Sequence, residues 1–201
     1  MKKILITGAA GYIGSCLFFY LKNNFKVSVI DKKKNVNFSI VNCNLLNFNK
    51  LNKILKKEKP ELIVHFAAQS LVGVSYKNPR YNFETNFNGT LNLLEVLRLS
   101  NFKCVSILIT SDKSYKNFEI KRGYVENDIL GGDDPYSASK ASAEFAINSY
   151  FKSFLKYKKN LRIAVCRAGN VIGGGDWSED RIIPDCIKSW SKNRKALIRN
   201  P

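Results

Sequence analysis

Histidine occurs once in this chain of 201 residues, as His65, and the five cysteines, Cys16, Cys43, Cys104, Cys166 and Cys186, form neither a CxxC pair nor a zinc spacing. A metal site and a disulfide framework are therefore not expected, and the cysteines read as small buried hydrophobes in a reducing compartment. Long apolar runs are missing too. None approaches the roughly 20 residues that span a bilayer, and the amino-terminal run behind Lys2-Lys3 is broken by Gly8, Gly11 and Gly14 before it reaches the length of a signal sequence. The expectation is a cytoplasmic protein with no membrane partner. Acidic residues are scarce: 16 Asp and Glu against 33 Lys and Arg leave a net charge of +17. The lysines are scattered, however, with short clusters only at Lys32 to Lys34 and Lys156 to Lys159, and no nucleic-acid-reading motif accompanies them. Nucleic acid is not the expected partner; a solvated basic surface, with some attraction for small anions, is. No internal repeat or linker appears, and the length suits one large α/β domain or one and a part.

What is present is alternation. Apolar strands are expected at Lys3–Thr7, Lys26–Ile30, Ser39–Cys43, Leu62–Phe66, Val105–Thr110, Leu161–Arg167 and Ala196–Arg199. Helices are expected at Ser15–Asn23, from Asn47 to about Glu58, and at Tyr81–Ser100, where Leu91, Leu94 and Leu97 face a core. Two more are expected from Pro135 to about Lys158 and at Asp185–Lys195. Strands alternating with helices argue a doubly wound parallel sheet of the Rossmann type. Ligands of such sheets lie beyond the C-terminal ends of the strands.

Three of those ends carry chemistry. The first strand runs into Gly8-Ala9-Ala10-Gly11-Tyr12-Ile13-Gly14, and glycines between a strand and a helix let backbone approach a pyrophosphate whose charge the helix N-terminus favours. The second strand ends in Asp31, about 20 residues on, where a carboxylate accepts from ribose hydroxyls. That favours NAD, while Lys32-Lys33-Lys34 behind it keeps NADP open as the competing reading. The fifth predicted strand delivers Ser111, Asp112 and Lys113. Shortly after, Asp134 is a candidate cap, Pro135 suits the first helical position, and Tyr136 and Lys140 fall on one helix face. An unperturbed tyrosine, with a pKa of about 10, is a poor base at neutrality, and lowering it by about 3 pH units takes roughly 4 kcal/mol of stabilisation of the phenolate. A lysine beside it supplies charge of the right sign. His65 ends a buried strand and reads as structural, and Ala67-Ala68-Gln69 after it suggests backbone close to a ligand.

Together Thr7-Gly8-x-x-Gly11-x-x-Gly14, Ala67-Ala68-Gln69, Asn86 in its Asn-x-x-Gly-Thr setting and Tyr136-x-x-x-Lys140 resemble the extended short-chain dehydrogenase/reductases that act on nucleotide sugars. The stretches Thr110–Tyr115, Gly131–Lys140, Arg167–Trp177 and Asp180–Asp185 are similar to the CDP-glucose 4,6-dehydratase family, in which Lys113 stands where the related dTDP-glucose enzymes carry glutamate. The glycine loop itself looks more like an epimerase, and Asn44 stands where the family commonly places an acidic residue toward the adenine.

The resemblance implies an NAD-dependent enzyme in which Gly8, Gly11, Tyr12, Ile13, Gly14, Asp31, Ala67, Ala68, Gln69, Asn86, Tyr136 and Lys140 bind the cofactor. It implies that Ser111, Asp112, Lys113, Tyr136 and Lys140 carry the chemistry, that Asn170 and Arg181 meet the sugar nucleotide, and that a full-length form is a homodimer. Residues 1–170 would then be the nucleotide-binding domain and 171–201 the beginning of a sugar-nucleotide lobe into which the family continues. On that basis the 201 residues alone are expected to turn over poorly and to associate through the apolar face formed by Ile183, Ile187 and Trp190. The competing readings are another nucleotide-sugar enzyme, such as an epimerase, and a binding module without chemistry.

Overall fold

The computed structural model describes residues 2–33 and 37–198. Six parallel strands form one sheet: β1 (Lys3–Thr7), β2 (Lys26–Asp31), β3 (Val41–Asn42), β4 (Leu62–His65), β5 (Cys104–Ile109) and β6 (Leu161–Cys166), in the order β3-β2-β1-β4-β5-β6. The chain steps outward from β1 to β3, then returns to β4 on the other side of β1 and steps outward again. Such a reversal opens a crevice between β1 and β4 at their C-terminal ends. Register makes it sharp, because Thr7 and His65, the last residues of β1 and β4, pair with each other, and Thr7 pairs with Ile30, next to the end of β2. This is the doubly wound Rossmann-type sheet expected from the alternation.

The side-chain period of two in β1 divides the core. Leu5 belongs to the larger cluster, with Leu51, Leu55, Leu93, Leu97 and Leu108, whereas Ile4 and Ile6 join Ala9 and Val29 on the opposite face. On that second face lies α1 (Tyr12–Leu21). The larger cluster is covered by α2 (Phe48–Glu58), which Asn47 caps by accepting the Lys50 N–H at 3.0 Å, and by the helices that precede and follow β5.

The segment expected as one helix from Tyr81 is more segmented. Helix α3 (Val72–Lys77), not anticipated, is followed by α4 (Pro79–Phe83), a π-helical turn (Glu84–Asn88) and α5 (Gly89–Leu99). A six-residue helix shows too little periodicity to read, and no sequence rule marks an inserted π turn. Leu91 is only half-buried, and Leu93 and Val96 join Leu94 and Leu97 in the core instead.

Helix α6 (Pro135–Ser153) starts where expected and stops earlier, because Phe154 leaves helical geometry before a 3-10 turn at Leu155–Tyr157. The expected strand Ser39–Cys43 shrinks to two residues at the sheet edge. The last helix, α7 (Ile182–Trp190), begins before Pro184 and not after it, since a proline in the first turn forfeits no intrahelical bond. Ala196–Ile198 is not a strand, and Arg199, like Lys34 of the lysine cluster, lies outside the described residues.

Two of the cysteines also depart from expectation. Cys43, Cys104 and Cys186 are buried, but Cys16 and Cys166 are exposed, on α1 and on the edge strand β6. On α7 it is Pro184 and Cys186 that are buried, while Ile183, Ile187 and Trp190 stand 42%, 44% and 62% exposed. Among the described residues no helix is long and apolar enough to cross a membrane.

Candidate active site

A cleft of about 560 Å³ runs along the C-terminal ends of the strands and is lined by all three sequence stretches that carry chemistry. Its floor is the glycine loop. Gly8 follows β1 with φ +73°, a left-handed conformation that favours glycine, and a Cβ there would lie 2.6 Å from the Ala67 nitrogen. At Gly14 a Cβ would come within 2.4 Å of the Gly8 carbonyl oxygen. The loop is thus packed against α1 and β4 at a distance only hydrogen permits. Gly11 caps α1 with no side-chain partner, so the first N–H groups of the helix are not taken by a capping side chain, an arrangement that suits an anion. The cradle and its donors fit the pyrophosphate of a dinucleotide.

Asp31 closes one end. Its Oδ2 accepts the Ala10 N–H at 3.0 Å and its Oδ1 the Lys33 N–H at 2.8 Å, so the carboxylate is aimed by the glycine loop itself. Beside it Lys32 donates to the Tyr81 hydroxyl at 2.5 Å, with Nζ 4.5 Å from the ring centre. That hydrogen bond holds the Tyr81 phenol below its ordinary pKa. Tyr81 and Thr85 also line the cleft, and sequence reasoning missed both; the only available signal was their position at the start of a helix that follows Ala67 and Ala68, the small residues after β4. Asp31→Ala is expected to cause a clear loss of NAD affinity in titration calorimetry, and undiminished binding would refute the ribose assignment.

Ala67, Ala68 and Gln69 line the middle of the cleft, but Asn86 is buried behind them. Its carboxamide accepts the Gln69 N–H at 2.7 Å and donates to the Gln69 carbonyl at 3.0 Å and to Ser139 Oγ at 2.9 Å. Asn82 donates to the Pro135 carbonyl and to Ser139 Oγ, both at 2.8 Å. The π turn tips Asn86 inward, and these amides join the loop after β4 to the first turns of α6. Asn86 therefore reaches the cleft through Gln69. His65 is held between Thr7 Oγ1 at 2.7 Å and Thr90 Oγ1 at 3.2 Å, and burial lowers its pKa to about 3. It is a neutral structural residue.

At the other end β5 delivers Thr110 and Ser111, and a 3-10 turn (Asp112–Ser114) follows. Ser111 Oγ accepts the Lys113 N–H at 3.2 Å and donates to Asp112 Oδ1 at 3.1 Å. Lys113 lines the cleft; Asp112 is exposed at its rim, with Gly169 against it. Asp134 caps α6 by accepting the N–H groups of Tyr136 at 2.8 Å and Ser137 at 3.0 Å, which sets Tyr136 and Lys140 on the cleft side.

Tyr136 and Lys140 are only 8% and 7% exposed. Burial raises the Tyr136 pKa, offset by a hydrogen bond with Ser111 and by the charge of Arg181. The expectation that Lys140 supplies the downward pull needs correction, since its Nζ lies 6.0 Å from the ring centre and is not among those causes. Lys140 itself is lowered to about 8 by burial, with Glu144 acting in the opposite sense.

Asn170 and Arg181 complete the wall, and the buried Arg181 Nε has no hydrogen-bond partner among the described residues. The loop that carries Asn170 continues over the glycine loop, where Gly173 lies so close to the Tyr12 hydroxyl that a Cβ would overlap it.

A model of the NAD dependent epimerase/dehydratase family matches residues 4–200. The chain belongs to that family. Among curated relatives in the epimerase/dehydratase family, the CDP-glucose 4,6-dehydratase of Salmonella typhimurium is 40% identical, covering 100% of this chain and 60% of that protein. The dTDP-D-glucose 4,6-dehydratase of Dictyostelium discoideum is 36% identical, covering 98% and 50%. The chain thus spans between half and two thirds of the length of these relatives. Among solved structures, the Thermus thermophilus UDP-glucose 4-epimerase in complex with NAD superimposes with a TM-score of 0.74 at 26% identity, covering 89% of this chain and 58% of that one.

Proposed function

We propose that this chain binds NAD and provides the catalytic part of a nucleotide-sugar 4,6-dehydratase acting on CDP-glucose, with residues 171–201 beginning the wall that meets the sugar nucleotide. The observation that carries the reading is the convergence of Ser111, Lys113, Tyr136 and Lys140 on one cleft whose far end is the glycine loop and Asp31. Glycine cradle, free helix N-terminus and carboxylate fit a dinucleotide whose nicotinamide end would reach Tyr136 and Lys140. When bound there, NAD would supply a hydride acceptor for C4 of the sugar and, once reduced, a hydride donor for C6.

The chain's own residues do the proton work. Tyr136 removes the proton of the C4 hydroxyl, and Ser111, hydrogen-bonded to the phenol, holds the same oxygen. The positive charge of Arg181, with the Ser111 hydrogen bond, favours the phenolate that burial opposes. Once C4 is a ketone the C5 proton is acidified. Lys113, as the neutral amine, then takes that proton, Asp112, as the neutral carboxyl, donates one to the departing C6 hydroxyl, and water leaves; as hydride returns to C6, Lys113 gives its proton back to C5.

The Asp112–Lys113 pair favours this reading over a 4-epimerase, because epimerisation at C4 eliminates no water and has no use for a second acid and base. The experiment is direct: the chain, in a full-length context, is given NAD and CDP-glucose, and the 4-keto-6-deoxy product is followed by its absorbance in alkali. Product is expected with CDP-glucose and much less with UDP- or dTDP-glucose. Inversion at C4 without loss of water would overturn the dehydratase in favour of the epimerase.

A further inference from the structure

Behind the cleft lies a polar cluster that the proposed chemistry does not use. Glu144 is buried in α6 one turn beyond Lys140, and it is bound on two sides. Its Oε1 accepts from Thr110 Oγ1 at 2.6 Å, and both its oxygens accept from Arg167, with Nε at 2.9 Å from each and Nη2 at 2.5 Å from Oε2. Arg167, at the end of β6, donates further to the Tyr115 hydroxyl at 2.7 Å and the Glu126 carbonyl at 3.0 Å, and its guanidinium lies 4.6 Å from the Tyr115 ring centre. Thr110 precedes Ser111, Tyr115 closes the turn of Asp112 and Lys113, and Arg167 precedes the segment of Asn170. Two backbone bonds continue the join, from the Thr110 N–H to the Cys166 carbonyl and from the Asp112 N–H to the Ala168 carbonyl. One carboxylate therefore ties the ends of β5 and β6 to the helix that carries Tyr136 and Lys140.

We propose that Glu144 and Arg167 are positioning residues of the active site, Glu144 sustaining the charge of Lys140 while the pair locks the two strand ends beneath Ser111, Lys113 and Asn170. The assignment rests on reading Lys140 as an active-site lysine. The charged and titratable groups around Lys140 leave Glu144 as its source of negative charge. His65, from β4, is neutral, Tyr136 carries its proton, Lys113 and Arg181 in the same cleft bring no negative charge, and Asp31 and Asp176, which also line it, are not among the groups that act on Lys140. Burial works against the ammonium and Glu144 works for it. Arg167 shares the same carboxylate, so the pair is a balance: removing either member moves Lys140, in opposite directions. A merely structural ion pair would leave the lysine unmoved, and buried pairs are often replaceable by apolar side chains with no loss of stability.

The test is the titration of Lys140 in the protein without added nucleotide, followed by lysine-selective carbon NMR. The resonance is assigned by its disappearance in Lys140→Met. In Glu144→Gln its midpoint is expected to fall by about one pH unit, and in Arg167→Gln, which leaves the carboxylate without its guanidinium, to rise. If Glu144→Gln does not fold, the rise in Arg167→Gln carries the same information. An unmoved midpoint in a folded variant overturns the proposal. Because the titration needs no sugar nucleotide, it stands apart from the dehydratase reading: loss of that reading leaves the shift intact, and a missing shift leaves the dehydratase assay untouched.

Discussion

Tyr136→Phe is expected to slow reduction of bound NAD by CDP-glucose by about 10²–10⁴-fold, the usual worth of a positioned general base. The ring keeps its place, since Asp134 holds the first turn of α6 through backbone N–H groups and not through the phenol. What disappears is the oxygen that meets Ser111 and receives the C4 hydroxyl proton. NAD affinity in titration calorimetry should therefore stay close to that of the parent, while single-turnover absorbance of the reduced nicotinamide falls. The parent should also lose rate as pH drops, because burial holds the phenol proton on and only Ser111 and Arg181 oppose it. Acid favours the protonated form that cannot act as base. A Tyr136→Phe protein that reduces NAD at the parental rate would remove this residue from the mechanism.

In a full-length context Lys113→Met should separate the two halves of the reaction. The substitution takes an amine from the cleft wall but leaves the 3-10 turn intact, because the bond that shapes it runs from the Lys113 backbone N–H to Ser111 Oγ. Oxidation at C4 depends on Tyr136 and Ser111 and is expected to proceed. Elimination depends on removal of the C5 proton and is expected to slow by about 10²–10⁴-fold. The signature is reduced nicotinamide that accumulates on adding CDP-glucose and decays slowly, with little 4-keto-6-deoxy product. Formation of that product at an unchanged rate would show that another group takes the C5 proton, and Asp112, at the rim of the same turn, would be the next residue to replace.

Much of this arrangement is local, and the sequence by itself determined it. Strand-to-helix alternation, glycines at the first crossover, a carboxylate at the end of β2, and an Asp-Pro start placing Tyr136 and Lys140 on one helix face are all short-range patterns. Their geometry follows from backbone sterics, capping and helix periodicity. Interactions between distant segments were decided only by the tertiary structure. The pull on the Tyr136 phenol comes from Arg181, 45 residues away in sequence, and from Ser111, not from the lysine that sequence spacing offered. Asn86 faces Gln69 and not the cleft because a π turn adds a residue that no periodicity announces. Lys32 is engaged by Tyr81, Tyr12 packs under Gly173, and Glu144 joins Thr110 to Arg167, each pair lying far apart along the chain. The reason is common to all of them. Burial and charge act through space, so their effect on a titratable group depends on what the fold brings within a few ångströms, and sequence separation carries almost none of that information.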